Sequence, residues 1–227
     1  MDYAKAMNSL LLACVILGLY AACTAGFTFI RNRSVQPLPT TPAWRFPRAT
    51  LLLAVSVALP TTLQFFFPEI LSAFRRDYAR FLSGDWWRLI TPLFVQDGGI
   101  AGAIFNVVSL LLVGGIAEQV WGGKRMIGIF FVGGIVGEAV AFAWQPIGAG
   151  NSVGNFSLAA SVAVACLTPH AARITRMTAL LALSADVVLV LLKDIHGAAA
   201  VTGITLALLL RAGWQSKARP PLPEINR

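Results

Sequence analysis

Three residue types in this chain could together perform acyl transfer. Ser152 stands in IGAGNSVGNFSL (147–158), His196 in DIHGAAAVTG (194–203) and Asn106 in IFNVVSL (104–110). A serine hydroxyl is a poor nucleophile until a base takes its proton, and histidine is the usual base. Gly148 and Gly150 let the chain turn tightly and re-enter as a helix, which sets Ser152 at a helix N-terminus. Unpaired backbone N–H groups there can stabilise a developing oxyanion, and the Asn106 amide can donate to the same oxygen. Each residue also has a plainer reading: a helix cap for Ser152, a packing or proton-relay group for His196, interhelical glue for Asn106. GNSVG (150–154) also fits the nucleophile-elbow pattern, but that pattern needs a strand–turn–helix within an α/β fold, which this sequence does not offer.

The elements that must position these residues are membrane helices. Of the 227 residues 57% are hydrophobic and 12% charged, whereas soluble chains carry about 25% charged residues. Mean hydropathy is +0.72. The interval from Ala139 to Ala172 contains no Asp, Glu, Lys or Arg. Since a span needs roughly 20 apolar residues, charge-free runs and turn signals predict seven: 7–30, 49–67, 98–117, 126–144, 152–169, 177–192 and 195–212. The fold class expected is all-α, a polytopic transmembrane helical bundle. An N-terminal span (1–30) is followed by a proline-rich cytoplasmic linker (31–48), a six-helix membrane domain (49–213) and a disordered cytoplasmic tail (214–227). The first span is read as retained, because its basic cluster, Arg31 and Arg33, follows the apolar run where a secretory signal would place it before.

A net charge of +8 does not make this a nucleic-acid binder, because basic loops are the orientation signal of a membrane protein. Arg31, Arg33, Arg45, Arg48, Lys124, Arg125, Arg173, Arg176, Arg211, Lys217, Arg219 and Arg227 fall on one side; Lys5, Arg75, Arg76, Arg80, Arg88 and Lys193 fall on the other. Twelve against six places the N-terminus outside and the C-terminus inside. The segment 69–88, mixed apolar, aromatic and basic, reads as an interfacial stretch on the outer surface. With that sidedness Ser152, His196 and Asn106 all enter the membrane from the outer face. The i, i+3, i+4, i+7 series His196, Ala199, Ala200 and Gly203 gives the last span a small surface, matched by Ala159, Ala160 and Ala163. Close packing of those two spans would bring His196 over Ser152. Cys14, Cys23 and Cys166 lie in apolar segments with no metal or disulfide spacing and read as packing residues.

Residues 45–213 resemble the six-span core of the rhomboid intramembrane serine proteases. GDWWRLITPLF (84–94) is similar to the family's Trp-Arg segment, carried here by Trp87 and Arg88. FNVVSLLLVGGIAE (105–118) resembles its second span, with Asn106 and then Glu118 near the inner end. GNSVGNFSLAAS (150–161), opened by Gly150, resembles its Gly-x-Ser segment, and HGAAAVTG (196–203) its last span, with Gly203 seven residues after the histidine. A second alignment lays Phe156 on the nucleophile position instead. The resemblance implies a Ser152–His196 dyad with no acidic third member, and an oxyanion hole of Asn106 and the Ser152 backbone N–H. It implies transmembrane protein substrates within the lipid bilayer, a bacterial cell (inner) membrane, and no metal or organic cofactor. Two departures stand out: Gly102 where the family commonly has a histidine four residues before the asparagine, and Val153 after the serine. Asn151 or a water is the expected substitute donor. Glu138 and Asp186 have no family counterpart and are expected to be paired structural carboxylates; His170 falls on the wrong side for the site. Two functional classes remain open, an intramembrane endopeptidase and a catalytically inactive rhomboid-like binder of transmembrane partners. A transporter needs polar groups along both halves of a pathway, and this cluster is one-sided.

Overall fold

A computed structural model describes residues 3–35 and 46–217, with side chains from 7 to 32 and from 46 to 212. The expected linker between 36 and 45 and the tail from 218 lie outside the described residues. Seven helices follow the seven predicted spans: α1 (Tyr3–Val35), α2 (Arg48–Leu63), α5 (Gly99–Trp121), α6 (Gly123–Trp144), α7 (Ser152–Cys166), α8 (Arg173–Leu191) and α9 (Ile195–Lys217). Between α2 and α5 come two short helices, α3 (Pro68–Phe74) and α4 (Tyr78–Leu82), and two 3-10 turns over Trp86–Leu89 and Thr91–Phe94. Helix α9 continues through residues 214–217, which the sequence reading assigned to the tail.

The chain is a polytopic helical membrane bundle. Helices α1, α5, α6, α8 and α9 are long and apolar enough to cross a bilayer. Helix α7 is not: its 15 residues rise about 22 Å at 1.5 Å per residue, short of a hydrocarbon core of about 30 Å. All of its residues after Ser152 are buried. It is therefore a central post with no lipid-facing side. Helices α9, α6, α5, α8 and α1 pack around it. Helices α5 and α8 make little contact with each other, and α1 packs against both, closing the ring. The Thr28 and Thr175 hydroxyls, 2.9 Å apart, tie α1 to α8.

Small residues set how closely these helices approach. Ala199 and Ala200 of α9 are fully buried, and a methyl group on Gly203 would overlap the Ser157 carbonyl of α7. The buried lower end of α7 is also satisfied, since the Arg211 guanidinium donates to the Val164 carbonyl at 2.8 Å. On α5, Glu118 accepts from the Ala49 and Thr50 backbone N–H groups at 3.1 and 2.7 Å and from the Thr50 hydroxyl at 2.8 Å. It thereby caps α2, whose first turn has no side-chain cap of its own.

Gly203→Ala is expected to cost about 1–3 kcal/mol of stability through overpacking, read as a lowered thermal midpoint in detergent. Gly128→Ala, inside α6 with nothing within 4 Å of the new methyl, should not lower that midpoint, since alanine favours a helix interior over glycine.

Candidate active site

The loop ahead of Ser152 is held from several sides before the helix begins. Strand β1 (Arg76–Asp77) pairs antiparallel with β2 (Ile147–Gly148), a two-residue sheet that hydropathy does not foretell. The Ala149 N–H donates to Asp97 Oδ2 at 2.9 Å, and the Gly150 N–H to the Pro92 carbonyl at 3.0 Å. Arg76 donates from Nε to the Gln145 carbonyl at 2.7 Å and pairs through its guanidinium with Glu138 at 2.5 Å. That ion pair is buried on both sides, and it accounts for Glu138 as a structural carboxylate. Arg88 is buried too, bonded to Asp85 and to the Ser72 and Arg75 carbonyls. Segment 69–88 is exposed or half-buried along most of its length, with Arg76 and Arg88 its buried residues. These two basic residues are internal struts. Trp87, half exposed, donates to the Ala73 carbonyl at 3.3 Å.

Helix α7 starts at Ser152, with Asn151 at the N-cap position and no side-chain cap bond there. The Ser152 hydroxyl lies 2.9 Å from His196 Nε2. One turn further along α7, the Phe156 ring packs on the imidazole, centroids 4.8 Å apart at 55°. The histidine thus meets Ser152 through a ring nitrogen and Phe156 through a tilted ring contact. The first N–H groups of α7 have no partners within the helix and point toward the loop side.

Asn106 belongs to a buried amide network. Its Nδ2 donates to Gln96 Oε1 at 2.6 Å, and its carbonyl accepts from Asn155 Nδ2 at 3.0 Å and Asn151 Nδ2 at 3.3 Å. Gln96 Nε2 donates to Asn151 Oδ1 at 2.5 Å. The Gln96 backbone exchanges bonds of 3.0 and 2.6 Å with the Gln64 side chain. A methyl group placed on Gly150 would sit 3.2 Å from Gln96 Oε1, 3.3 Å from Ser152 Oγ and 3.5 Å from Asn106 Nδ2. These three polar atoms therefore surround one small volume, kept open by the absence of a side chain at 150. Asn151 cannot stand in as an oxyanion donor, because both of its amide bonds point inward and the residue is fully buried. Gly102 is different: nothing lies within 4 Å of a methyl group placed there.

Asp194 is the functional candidate that sequence reasoning missed. Its Oδ1 lies 2.5 Å from His196 Nδ1 and accepts the His196 backbone N–H at 2.9 Å. The expected absence of an acidic third member is therefore corrected: a carboxylate stands on the far side of the imidazole. Burial alone would raise the Asp194 pKa, but the hydrogen bonds and charge of His196, with a lesser bond from Gln145, outweigh it and hold the carboxyl below its ordinary range. An aspartate two residues before a histidine at a helix start was the available signal. Asp186, on α8, faces Gly18 of α1 rather than this site. His170 is exposed in the turn at the opposite end of α7.

A helical membrane bundle of this form carries a serine and a histidine in hydrogen-bond contact at the head of a buried central helix. Residues 83–213 match the Rhomboid domain family, and the chain belongs to that family. It is 35% identical over 79 residues to the protein named Rhomboid protease GluP of Bacillus subtilis (strain 168), and 31% identical over 65 residues to the protein of that organism named "Putative rhomboid protease YdcA". These stretches cover 34% and 29% of this chain and only 15% and 32% of those relatives' own lengths.

Gln96→Leu, which strips partners from Asn106 and Asn151 at once, should lower stability by about 1–3 kcal/mol. Thermal unfolding in detergent reads it, and an unchanged midpoint would show the amide network to be dispensable.

Proposed function

We propose that this chain is an intramembrane serine endopeptidase that cuts transmembrane or membrane-proximal segments of other membrane proteins. The observation that carries the reading is the 2.9 Å contact between Ser152 Oγ and His196 Nε2 at the N-terminus of α7. Its relatives' names, which include the word protease, point the same way.

In the proposed reaction His196 Nε2 takes the hydroxyl proton as Ser152 Oγ attacks the scissile carbonyl. The substrate segment must unwind locally, because a helix keeps its carbonyls bonded. The resulting oxyanion faces the Ser152 backbone N–H and the Asn106 amide. Asn106 Nδ2 spends one hydrogen on Gln96 and keeps the second for the substrate. Protonated His196 then returns its proton to the leaving amine, and an acyl-enzyme remains on Ser152. A water, deprotonated by the same imidazole, hydrolyses it. Gly102 contributes no donor to this hole, and nothing lies within 4 Å of a methyl group placed there. Gly102 is also the observation that favours the second reading, an inactive binder of transmembrane partners. The charge count over the loops supports a site facing outward with the C-terminus inside, and the bacterial source of the similar proteins supports a bacterial cell membrane.

Ser152→Ala and His196→Ala should each abolish cleavage of a reporter transmembrane substrate in proteoliposomes, and Asn106→Ala should slow it by about 10²–10³-fold. Full activity of Ser152→Ala would refute the protease reading, and a folded parent protein that cleaves none of a panel of transmembrane segments would favour the binder.

A further inference from the structure

The turn between α8 and α9 puts a carboxylate where a serine–histidine pair can use it. Helix α8 ends in a Schellman arrangement, with the Lys193 N–H on the Val190 carbonyl at 3.0 Å and the Asp194 N–H on the Leu189 carbonyl at 2.9 Å. The residue in the left-handed conformation is Lys193, at φ 54°, where glycine is the usual occupant. The turn is thereby short enough for Asp194 to close α8 and cap α9 together. Gly197, one residue past the histidine, presses against the α8 backbone at Val190 and Leu189, which fixes the start of α9 relative to that turn. His196 is held by three contacts: Asp194 at Nδ1, Ser152 at Nε2 and the tilted Phe156 ring.

We infer that Asp194 is a positioning residue for His196, a carboxylate that accepts the Nδ1 proton's hydrogen bond and so turns a proton-free Nε2 toward Ser152. The inference rests on the protease reading above and deepens it. An ionised carboxylate can only accept, so the 2.5 Å contact requires the proton on Nδ1 and leaves the lone pair of Nε2 facing the hydroxyl. When Nε2 takes that proton, the imidazolium is stabilised by the negative charge beside it, the role an aspartate fills in Ser-His-Asp hydrolases. The depressed pKa of Asp194 agrees with a carboxylate ionised at neutral pH. Gln145 Nε2, at 3.5 Å from Oδ2, restrains the second oxygen.

The competing explanation is that Asp194 only caps α9, which its bond to the His196 backbone N–H by itself would account for. Asn and Ser are both good N-caps, so Asp194→Asn and Asp194→Ser separate the two roles. The full-length protein in lipid vesicles is treated with a fluorophosphonate probe: the serine oxygen bonds to phosphorus, fluoride leaves, and the hydroxyl proton passes to His196. A positioning role predicts thermal midpoints near the parent's and an unchanged half-saturating probe concentration. The maximal labelling rate should fall by at least about tenfold and by as much as about 10⁴-fold, the loss known for Asp→Asn in such a triad. Parent-like maximal rates in both variants overturn the inference while leaving the Ser152–His196 pair intact. Labelling of the parent protein that survives Ser152→Ala, or no labelling at all, overturns both.

Discussion

Burying a short helix on every side is the constraint from which the rest of this structure follows. Helix α7 has too few residues to span the bilayer, and its flanks after Ser152 are all covered. A helix so enclosed cannot leave backbone groups unpaired at its lower end, and Arg211 meets that demand. Its upper end begins beneath the surface, where the first N–H groups of a helix lack internal partners. Close approach by α9, which Ala199, Ala200 and Gly203 permit, then fixes the register at which His196 meets Ser152. The polar cluster at the Ser152 end of the bundle is a consequence of how α7 is packed.

Holding that chemistry in place falls to side chains that never touch a reacting group. Gln64 braces the Gln96 backbone, Gln96 bridges Asn106 and Asn151, and Asn151 and Asn155 return bonds to the Asn106 carbonyl. A buried network of this kind is rigid only while every member is satisfied, and each amide here has its partner. Arg76 links the other side, joining Glu138 of α6 to the loop that leads into α7. The Ser152 loop is thus anchored by hydrogen bonds to four separate parts of the chain, and its glycines supply space rather than looseness.

Much of this was legible in the sequence. Hydropathy located the seven helices that follow predicted spans, five of them long and apolar enough to cross a bilayer. Residue type and sidedness brought Ser152, His196 and Asn106 to one end. What stayed hidden depends on direction, which periodicity does not carry. Arg76 and Arg88 count as surface charges in any loop tally, yet both point inward. Asp194 reads as the solvated end of a Lys-Asp turn until the left-handed Lys193 swings it back onto the imidazole. Gln64 and Gln96 are single amides thirty-two residues apart, with nothing in the sequence to pair them. The insertion of α1 between α5 and α8 is a matter of which neighbours are missing, and hydropathy reports only length.

The central claim is that Ser152 is a nucleophile, held ready by His196 at the head of a buried helix. The most direct measurement is peptide mass spectrometry of the folded protein, reconstituted in lipid and exposed to a fluorophosphonate. The account predicts a single phosphonyl adduct on Ser152, lost when the protein is unfolded before exposure. An adduct on another serine, or equal modification of folded and unfolded protein, would contradict it.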